Sequence, residues 1–254
     1  MSQIIWSKKV CPESDSSIRS LSYDIYDKGL SIENTRIIEK ADKEIVALPD
    51  RKAYRSMSRS SVILSATALE SKEILASYLE DDPFSVGIYC AINHGPEDYQ
   101  CAKELLDIDR EEFANLYKKN RSPKHYLKQL PNLAPAQLGI FLGVMGPINT
   151  YTHGSEGAYQ AMEQAEFDLN NNIIKAALVC SAFSLDDPLL AKKTRAEVQP
   201  TLILSEGGAA LVITKSENKD LLSKKLNTYR NKSTGDHFGI ADPLITLLMN
   251  CKEL

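Results

Sequence analysis

Short apolar runs rich in β-branched residues alternate along this chain with stretches in which apolar residues recur at helical spacing. Three runs are nearly continuous in apolar residues, which is typical of strands covered on both faces of a sheet. They are Val86–Ile92, Ala176–Ala182 and Ala209–Lys215. Strands that alternate with helices predict an α/β fold with layered helices and a mainly parallel sheet.

Three helices are predicted between and beside these strands. Ser60–Leu79 places its larger apolar residues on one side, so it is predicted as one helix, and Asp109–Asn120 begins with acidic residues and ends near lysines. The third helix follows Ser155 and carries a narrow stripe of mostly small residues: Ala158, Ala161, Ala165 and Leu169. Small residues there predict close packing against another element.

The domain organisation follows from a change of composition after residue 214. Residues 1–214 are predicted to form one domain, and residues 215–239 are polar, rich in lysine and weakly periodic, which is typical of a polar linker or surface loop. Residues 240–254 are apolar and are predicted to form a C-terminal helix of the same domain. Its Pro243 suits the first helical turn.

Composition and charge exclude several function classes. The 254 residues have a formal net charge of −4, so the chain has no basic footprint for nucleic acid. No signal peptide opens the chain and no apolar run approaches ~18 residues, so we expect a cytoplasmic protein with no membrane partner. Its five cysteines include no C-x-x-C pair, which predicts neither a disulfide framework nor a metal site.

The stretch MGPINTYTHGSEGAYQAMEQA, Met145–Ala165, predicts a strand that breaks into a helix with Ser155 at the turn. Unpaired N–H groups and the positive end of the helix dipole meet at such a turn. The residues HGSEG are similar to the Gly-x-Ser-x-Gly elbow of α/β-hydrolases, with His153 in place of the first glycine. A hydrolase triad needs a histidine downstream of the serine, and His237 is the only one there. Ser155 is therefore either a nucleophile or an ordinary serine of the turn.

The same stretch resembles the nucleophile segment of β-ketoacyl synthases, the condensing enzymes of fatty acid and polyketide synthesis. Gly146-Pro147 precede the strand, and an ungapped count puts Ser155 on the family's active-site cysteine. The segment LSEGGAALVI is similar to the family's Gly-Glu-Gly-Ala strand, and SMSRSSVILSATAL to its Asp-Arg-led helix. The resemblance runs from Met57 to Ile213 and implies the N-terminal half of a thiolase-like condensing-enzyme fold.

Two departures from the family bear on activity. The cysteine is a serine, and the chain continues for about forty residues beyond Ile213, whereas the family's second half carries two further active-site histidines. A cysteine thiol is activated at a helix N-terminus, but a serine hydroxyl stays protonated unless a base takes its proton. The resemblance therefore implies that the chain has no catalytic residue for condensation.

Because this chain is similar to the condensing enzymes but lacks their cysteine, it resembles the chain-length factor of type II polyketide synthases. Short versions of that factor are found with aryl polyene pathways. This resemblance implies a non-catalytic subunit that forms a heterodimer with a catalytic β-ketoacyl synthase and shapes its acyl tunnel. It also implies an acyl carrier protein as partner. No cofactor would bind the chain directly, and the phosphopantetheine would come from that carrier protein.

The resemblance places particular residues in these roles. The family's subunits associate through the strand before the nucleophile, which implies an interface at Ile148, Asn149, Thr150 and Tyr151. Candidates for shaping the tunnel are Tyr99, Leu105 and Leu106. The lysine-rich stretch Glu111–Lys128 is either a contact for an acidic carrier protein or a solvated helix end.

Two other functions remain open at this point. One is an independent serine hydrolase or acyltransferase that uses Ser155. The other is a structural interaction protein that keeps the fold without an acyl role.

Overall fold

The structure, a computed structural model, describes residues 2–25, 28–106, 108–216, 222–230 and 235–250, without the side chain of residue 28. The strands are β1 (Ser2–Val10), β2 (Arg19–Ile25), β3 (Lys28–Arg36), β4 (Val86–Ile92), β5 (Ile148–Tyr151), β6 (Ala176–Phe183), β7 (Ile203–Ser205), β8 (Gly207–Lys215) and β9 (Asp236–His237). The helices are α1 (Asp42–Ile45), α2 (Arg59–Ala68), α3 (Lys72–Asp81), α4 (Tyr99–Glu104), α5 (Arg110–Asn120), α6 (Pro123–Gln129), α7 (Leu133–Leu142), α8 (Glu156–Asn170), α9 (Pro188–Glu197), α10 (Leu222–Thr228) and α11 (Asp242–Asn250).

The central sheet has five strands in the order β1-β8-β6-β4-β5. Strands β6, β4 and β5 are parallel to one another, and β8 pairs antiparallel with both β6 and β1. Four strands therefore run in one direction and β8 runs against them. The predicted α/β fold with a mainly parallel sheet is confirmed.

A second sheet of four strands, β2-β3-β7-β9, lies beside the first. Its β3, β7 and β9 are parallel, while β2 pairs antiparallel with β3. Strands β1, β2 and β3 were not predicted, because each contains only two to four apolar residues among many polar and charged ones.

Alternate residues of the central strands face two separate hydrophobic clusters. Ile88, Cys90 and Ile92 of β4 pack with helices α2, α3 and α7 on one face. Tyr89 and Ala91 pack on the other face with α8, α11 and the second sheet. Both faces are thus covered by helices, which explains the continuous apolar runs in these strands.

The small residues of α8 face the second cluster. Ala158, Ala161 and Ala165 are fully buried, and α8 contacts β4, β6 and α10. This confirms the close packing that the small-residue stripe predicts.

The prediction of one helix over Ser60–Leu79 is wrong in its extent. A 3₁₀ turn at Leu69–Ser71 separates α2 from α3. The buried Ser71 hydroxyl donates to the Ala68 carbonyl at 2.7 Å, and such a local side-chain bond competes with the regular helix ladder.

The segment 215–239 differs from the predicted linker or surface loop in its described part. It contains α10, which buries Leu222 and Leu226, and β9, which pairs with β7. Residues 217–221 and 231–234 lie outside the described residues, as do 251–254 of the predicted C-terminal helix. Two apolar residues in a lysine-rich sequence are enough to dock a short helix when the rest of its surface faces water.

Glu166 of α8 fixes the start of α10. Its buried carboxylate accepts the Leu222 N–H at 2.6 Å and the Ser223 N–H at 3.1 Å, and the Ser2 hydroxyl also donates to it. The carboxylate thus satisfies N–H groups that a helix start leaves without partners. One side chain therefore joins β1, α8 and α10.

Candidate functional site

The site is built where parallel strands β4, β5 and β6 end, which is the usual position of ligand sites in α/β folds. A small cavity of about 150 Å³ lies at this edge. Its lining includes Asn93 after β4, Thr152 and Ser155 after β5, and Leu190 of α9.

Ser155 lies at the start of α8, as the sequence predicts. It is exposed, its backbone is helical with φ −61° and ψ −27°, and its hydroxyl makes no capping hydrogen bond. The left-handed residue of the turn is Gly154, with φ +49°. In a nucleophile elbow the strain lies at the serine itself, so this turn differs from that of the α/β-hydrolases.

His237 lines the same small cavity as Ser155, although the sequence analysis placed it in a linker. Both residues also line a neighbouring cavity of about 590 Å³, together with Asp242. His237 Nδ1 is 3.4 Å from Asp242 Oδ1. Burial lowers the pKa of His237 and raises the pKa of Asp242. Pairing of β9 with β7 brings His237 to this position, and no motif in the sequence indicated it.

The three tunnel candidates occupy different surroundings. The Tyr99 hydroxyl donates to the buried Asp187 carboxylate at 2.9 Å, which ties it into the structure. Leu105 is half-buried and lines a separate cavity of about 250 Å³, whereas Leu106 is 60% exposed. The tunnel role of all three stays a prediction, and Leu106 is the most exposed of them.

The four interface candidates form β5, the edge strand of the central sheet. Within the described part of the chain, no strand pairs with its outer side. Large apolar side chains are exposed on β5 and on segments next to it in sequence or in packing: Phe84 before β4, Ile140 of α7, Met145 before β5 and Ile148 in β5. The Met145 N–H donates to Pro83 O, which places Met145 beside the residue before Phe84. Ile140 belongs to α7, which packs against β5.

The stretch Glu111–Lys128 forms α5 and most of α6, and neither helix has a buried residue. Residues 113–129 carry five cationic side chains and no carboxylate. The Phe113 and Tyr117 rings are stacked, and Arg121 lies 5.9 Å from the Tyr117 ring. Both helices are therefore exposed to solvent, and the aromatic rings of Phe113 and Tyr117 on α5 remain in contact with water.

A second basic site was not predicted from the sequence. A surface cavity of about 700 Å³ is lined by Lys43, Arg51, Lys52, Arg55, Ala47, Leu48 and Tyr54. The four cationic side chains are exposed, and within the described ranges none of them forms an ion pair. The run DRKAYR, with three cations in five positions, was the sequence signal.

In the described residues, no helix has the length and apolar character that a bilayer crossing requires. Among these described residues, no group of three or more His, Cys, Asp or Glu side chains is placed so that it could hold a metal ion.

No protein-family model matches the chain, and no curated protein matches its sequence. Solved structures do resemble it. A β-ketoacyl synthase from Burkholderia phymatum matches with a TM-score of 0.58 at 16% identity, over 85% of this chain and 59% of that one. A ketosynthase in complex with its chain length factor from Xenorhabdus doucetiae matches with a TM-score of 0.58 at 10% identity, over 85% and 58%.

A third structure holds a type II polyketide synthase acyl-carrier protein in complex with its ketosynthase. It matches with a TM-score of 0.57 at 18% identity, over 72% of this chain and 54% of that one. This chain thus spans a little over half the length of these matched chains. The predicted thiolase-like fold of the ketosynthases is confirmed.

Proposed function

We propose that this chain is a chain-length-factor-like subunit that forms no carbon–carbon bond itself. It pairs with a catalytic β-ketoacyl synthase and helps to shape its acyl tunnel in type II polyketide or polyene synthesis. The observation that carries the proposal is the open edge of β5 on a ketosynthase fold, bordered by exposed apolar side chains.

An unpaired edge strand favours addition of another strand. Its free N–H and C=O groups template pairing with a second chain, and natural proteins usually cover or charge such an edge. Here the surroundings are apolar instead: Ile140 is 78% exposed and Met145 is 62% exposed. Apolar side chains beside a free edge suit a stable protein partner.

The proposal also holds that this chain does not catalyse the condensation reaction. At the family's cysteine position stands Ser155, whose hydroxyl does not ionise in the way a thiol does at a helix N-terminus. Condensation also needs a preformed oxyanion site and groups that assist loss of carbon dioxide. We therefore assign the condensation chemistry to the partner subunit.

The carrier protein, whose phosphopantetheine would bring the acyl group, is proposed to dock at the basic cavity of Lys43, Arg51, Lys52 and Arg55. Its four cations form no ion pair in the described structure, so they are available to the carboxylates of an acidic partner. Complementary charge accelerates and orients such encounters.

The experiment is co-expression with ketosynthases from the same genome, followed by purification on a tag carried by this chain. The proposal expects a one-to-one complex that is lost in Ile140→Asp and Ile148→Lys. Phe167→Asp is the control, because Phe167 is an apolar residue on the later half of α8 whose exposure, 58%, lies between the 78% of Ile140 and the 38% of Ile148. A chain that stays monomeric beside every ketosynthase, or a complex that survives both edge variants, would contradict the proposal.

Formation of homodimers through β5 is the competing outcome and is scored in the same preparation. A structural interaction protein without an acyl role would form the complex but leave the product length unchanged when Leu106 is altered.

A further inference from the structure

We propose that the basic cavity of Lys43, Arg51, Lys52 and Arg55 binds a phosphate group carried on a flexible, partly apolar arm. Phosphopantetheine has this chemistry, both as the prosthetic group of a carrier protein and as a part of free coenzyme A. This binding role rests on the carrier-protein docking proposed above. It adds that the cavity recognises the prosthetic group itself and not only an acidic protein surface.

The described residues that line the cavity carry four positive charges and no negative charge. The three carboxylates of the same segment, those of Asp42, Glu44 and Asp50, lie outside this lining and have other partners. Glu44 and Asp50 each accept a backbone N–H, at 3.0 and 2.8 Å. Asp42 lies 3.0 Å from Arg59. An anion that enters the cavity therefore meets cations whose charge the neighbouring carboxylates do not take up.

The loop that carries these cations is closed by the side chain of Tyr54. The Tyr54 hydroxyl donates to the Val46 carbonyl and accepts the Leu48 N–H at 3.2 Å. Leu48 is itself buried in a small hydrophobic cluster with Met57 and Val62. The loop is thus held in place before a ligand arrives, which lowers the conformational entropy that binding costs.

The lining of the cavity suits both parts of such a ligand. Two of the four cations are arginines, whose guanidinium groups bind phosphate oxygens in pairs. Ala47 and the Tyr54 ring provide apolar surface beside them for the arm. The volume of about 700 Å³ lies within the roughly 300–1,000 Å³ of ordinary small-molecule sites.

The cavity is joined to α7, the helix that packs against the edge strand β5. Phe141 of α7 packs against the cluster of Leu48, and Gln137 Nε2 of α7 donates to the Ser56 hydroxyl at 3.3 Å. A prosthetic group bound in the cavity would therefore lie on the side of the molecule where the partner subunit is proposed to pair.

The test measures the binding of phosphopantetheine, pantetheine and inorganic phosphate to the purified full chain by NMR titration. Phosphopantetheine and pantetheine differ only in the phosphate group, and we expect the phosphorylated form to bind at least about tenfold more tightly. This difference should narrow as added salt screens the charges. Equal affinity for the two, or binding of neither, overturns the proposal. Equal affinity for inorganic phosphate and phosphopantetheine overturns the assignment of the arm.

Arg51→Gln together with Arg55→Gln removes two of the cations and should lower the affinity for phosphopantetheine at least about tenfold. Lys118→Gln with Lys119→Gln is the matched control, since these are two exposed cations of α5 outside the cavity. The melting temperature should stay near that of the parent in both variants, because all four side chains are exposed. Unchanged affinity in the arginine variant, or an equal loss in the control, overturns the proposal.

Apo and holo carrier protein, titrated into the same purified chain, distinguish the two sources of the phosphate. If the prosthetic group is the ligand, the holo form binds more tightly than the apo form, and Arg51→Gln with Arg55→Gln removes the difference. Equal binding of both forms, with phosphopantetheine still bound, assigns the cavity to the free coenzyme. Equal binding of both forms without phosphopantetheine binding overturns the phosphate site and leaves carrier docking intact. Pairing with a ketosynthase is measured separately, so the two proposals fail independently.

Discussion

Arg59 Nε lies 2.8 Å from Glu206 Oε1, and Arg59 Nη2 lies 2.9 Å from Glu206 Oε2, so the two side chains form a bidentate ion pair. Glu206 is 2% exposed and also accepts the N–H groups of Ile38 and Leu185. The pair joins the start of α2 to the residue between β7 and β8. These are two of the segments on which the resemblance to ketosynthases rests.

Breaking this pair is expected to destabilise the fold strongly. Arg59→Ala leaves a buried carboxylate without its cation, which typically costs roughly 3–5 kcal/mol. The free energy of unfolding from urea titration checks this expectation. Lys175→Ala is the control, because the Lys175–Asp81 pair at 3.7 Å is exposed and such pairs contribute about 0–1 kcal/mol. A loss below about 1 kcal/mol for Arg59→Ala would contradict the prediction.

Glu166→Ala is expected to loosen the C-terminal part of the chain. Two N–H groups at the start of α10 lose their acceptor, and each unsatisfied buried donor costs roughly 1–3 kcal/mol. Amide hydrogen exchange over 222–230 should therefore become faster than in the parent. Glu163→Ala, an exposed position on the same helix, should leave exchange unchanged. Equal protection in both variants would show that apolar packing alone holds α10.

Charge reversal in the basic cavity is expected to weaken carrier-protein binding. Arg51→Glu together with Arg55→Glu replaces two exposed cations, so attraction to an acidic partner falls and repulsion appears. Titration of the carrier protein into the ketosynthase complex at low and moderate salt measures the effect. Lys118→Glu with Lys124→Glu on α5 and α6 is the comparison, and a greater loss there would move the docking surface to those helices.

Substitutions of Leu106 and Tyr99 are expected to have different effects, the first on product length and the second on stability. Leu106→Ala should change the length of the product made by the complex and leave the melting temperature unchanged, because the side chain is 60% exposed. Tyr99→Phe should instead cost about 1–3 kcal/mol, since the buried Asp187 carboxylate loses a donor. Product analysis by mass spectrometry with thermal unfolding separates the two. Unchanged product length in Leu106→Ala argues against tunnel shaping by this residue.

Cys11 is expected to react slowly with iodoacetamide. Burial raises the pKa of this thiol from 9.0 to about 11, so its thiolate fraction at pH 8 is about a hundredfold lower than that of a free thiol. Alkylation followed by mass spectrometry should show slow modification at pH 8 that accelerates as the pH rises towards 11. The denatured chain is the control, and fast labelling of folded protein at pH 8 would contradict the expectation.

The sequence predicts the central sheet well because its signal is local. Val86–Ile92 is apolar at nearly every position, and the structure has a strand with the same bounds. The position of Ser155 at the start of α8 was also predicted, since a strand, a glycine turn and an alanine-rich helix follow one another directly.

The rest depends on contacts between distant residues. His237 reaches the Ser155 cavity through pairing of a two-residue strand, which leaves no periodic pattern in the sequence. The α10 helix is held by two buried leucines and by Glu166, 56 residues earlier, and its own composition is that of a loop. The break between α2 and α3 coincides with a hydrogen bond from the Ser71 hydroxyl to the Ala68 carbonyl, and no apolar pattern marks it.

The layer formed by α10 and α11 over α8 decides how any further polypeptide can attach to this face. Leu226 of α10 and Leu244 and Ile245 of α11 are fully buried, so these two helices cover the face of α8 that carries its small residues. A neighbouring protein or domain would rest on the outer, water-facing side of this layer, and the helix that starts at Ser155 would be held without it.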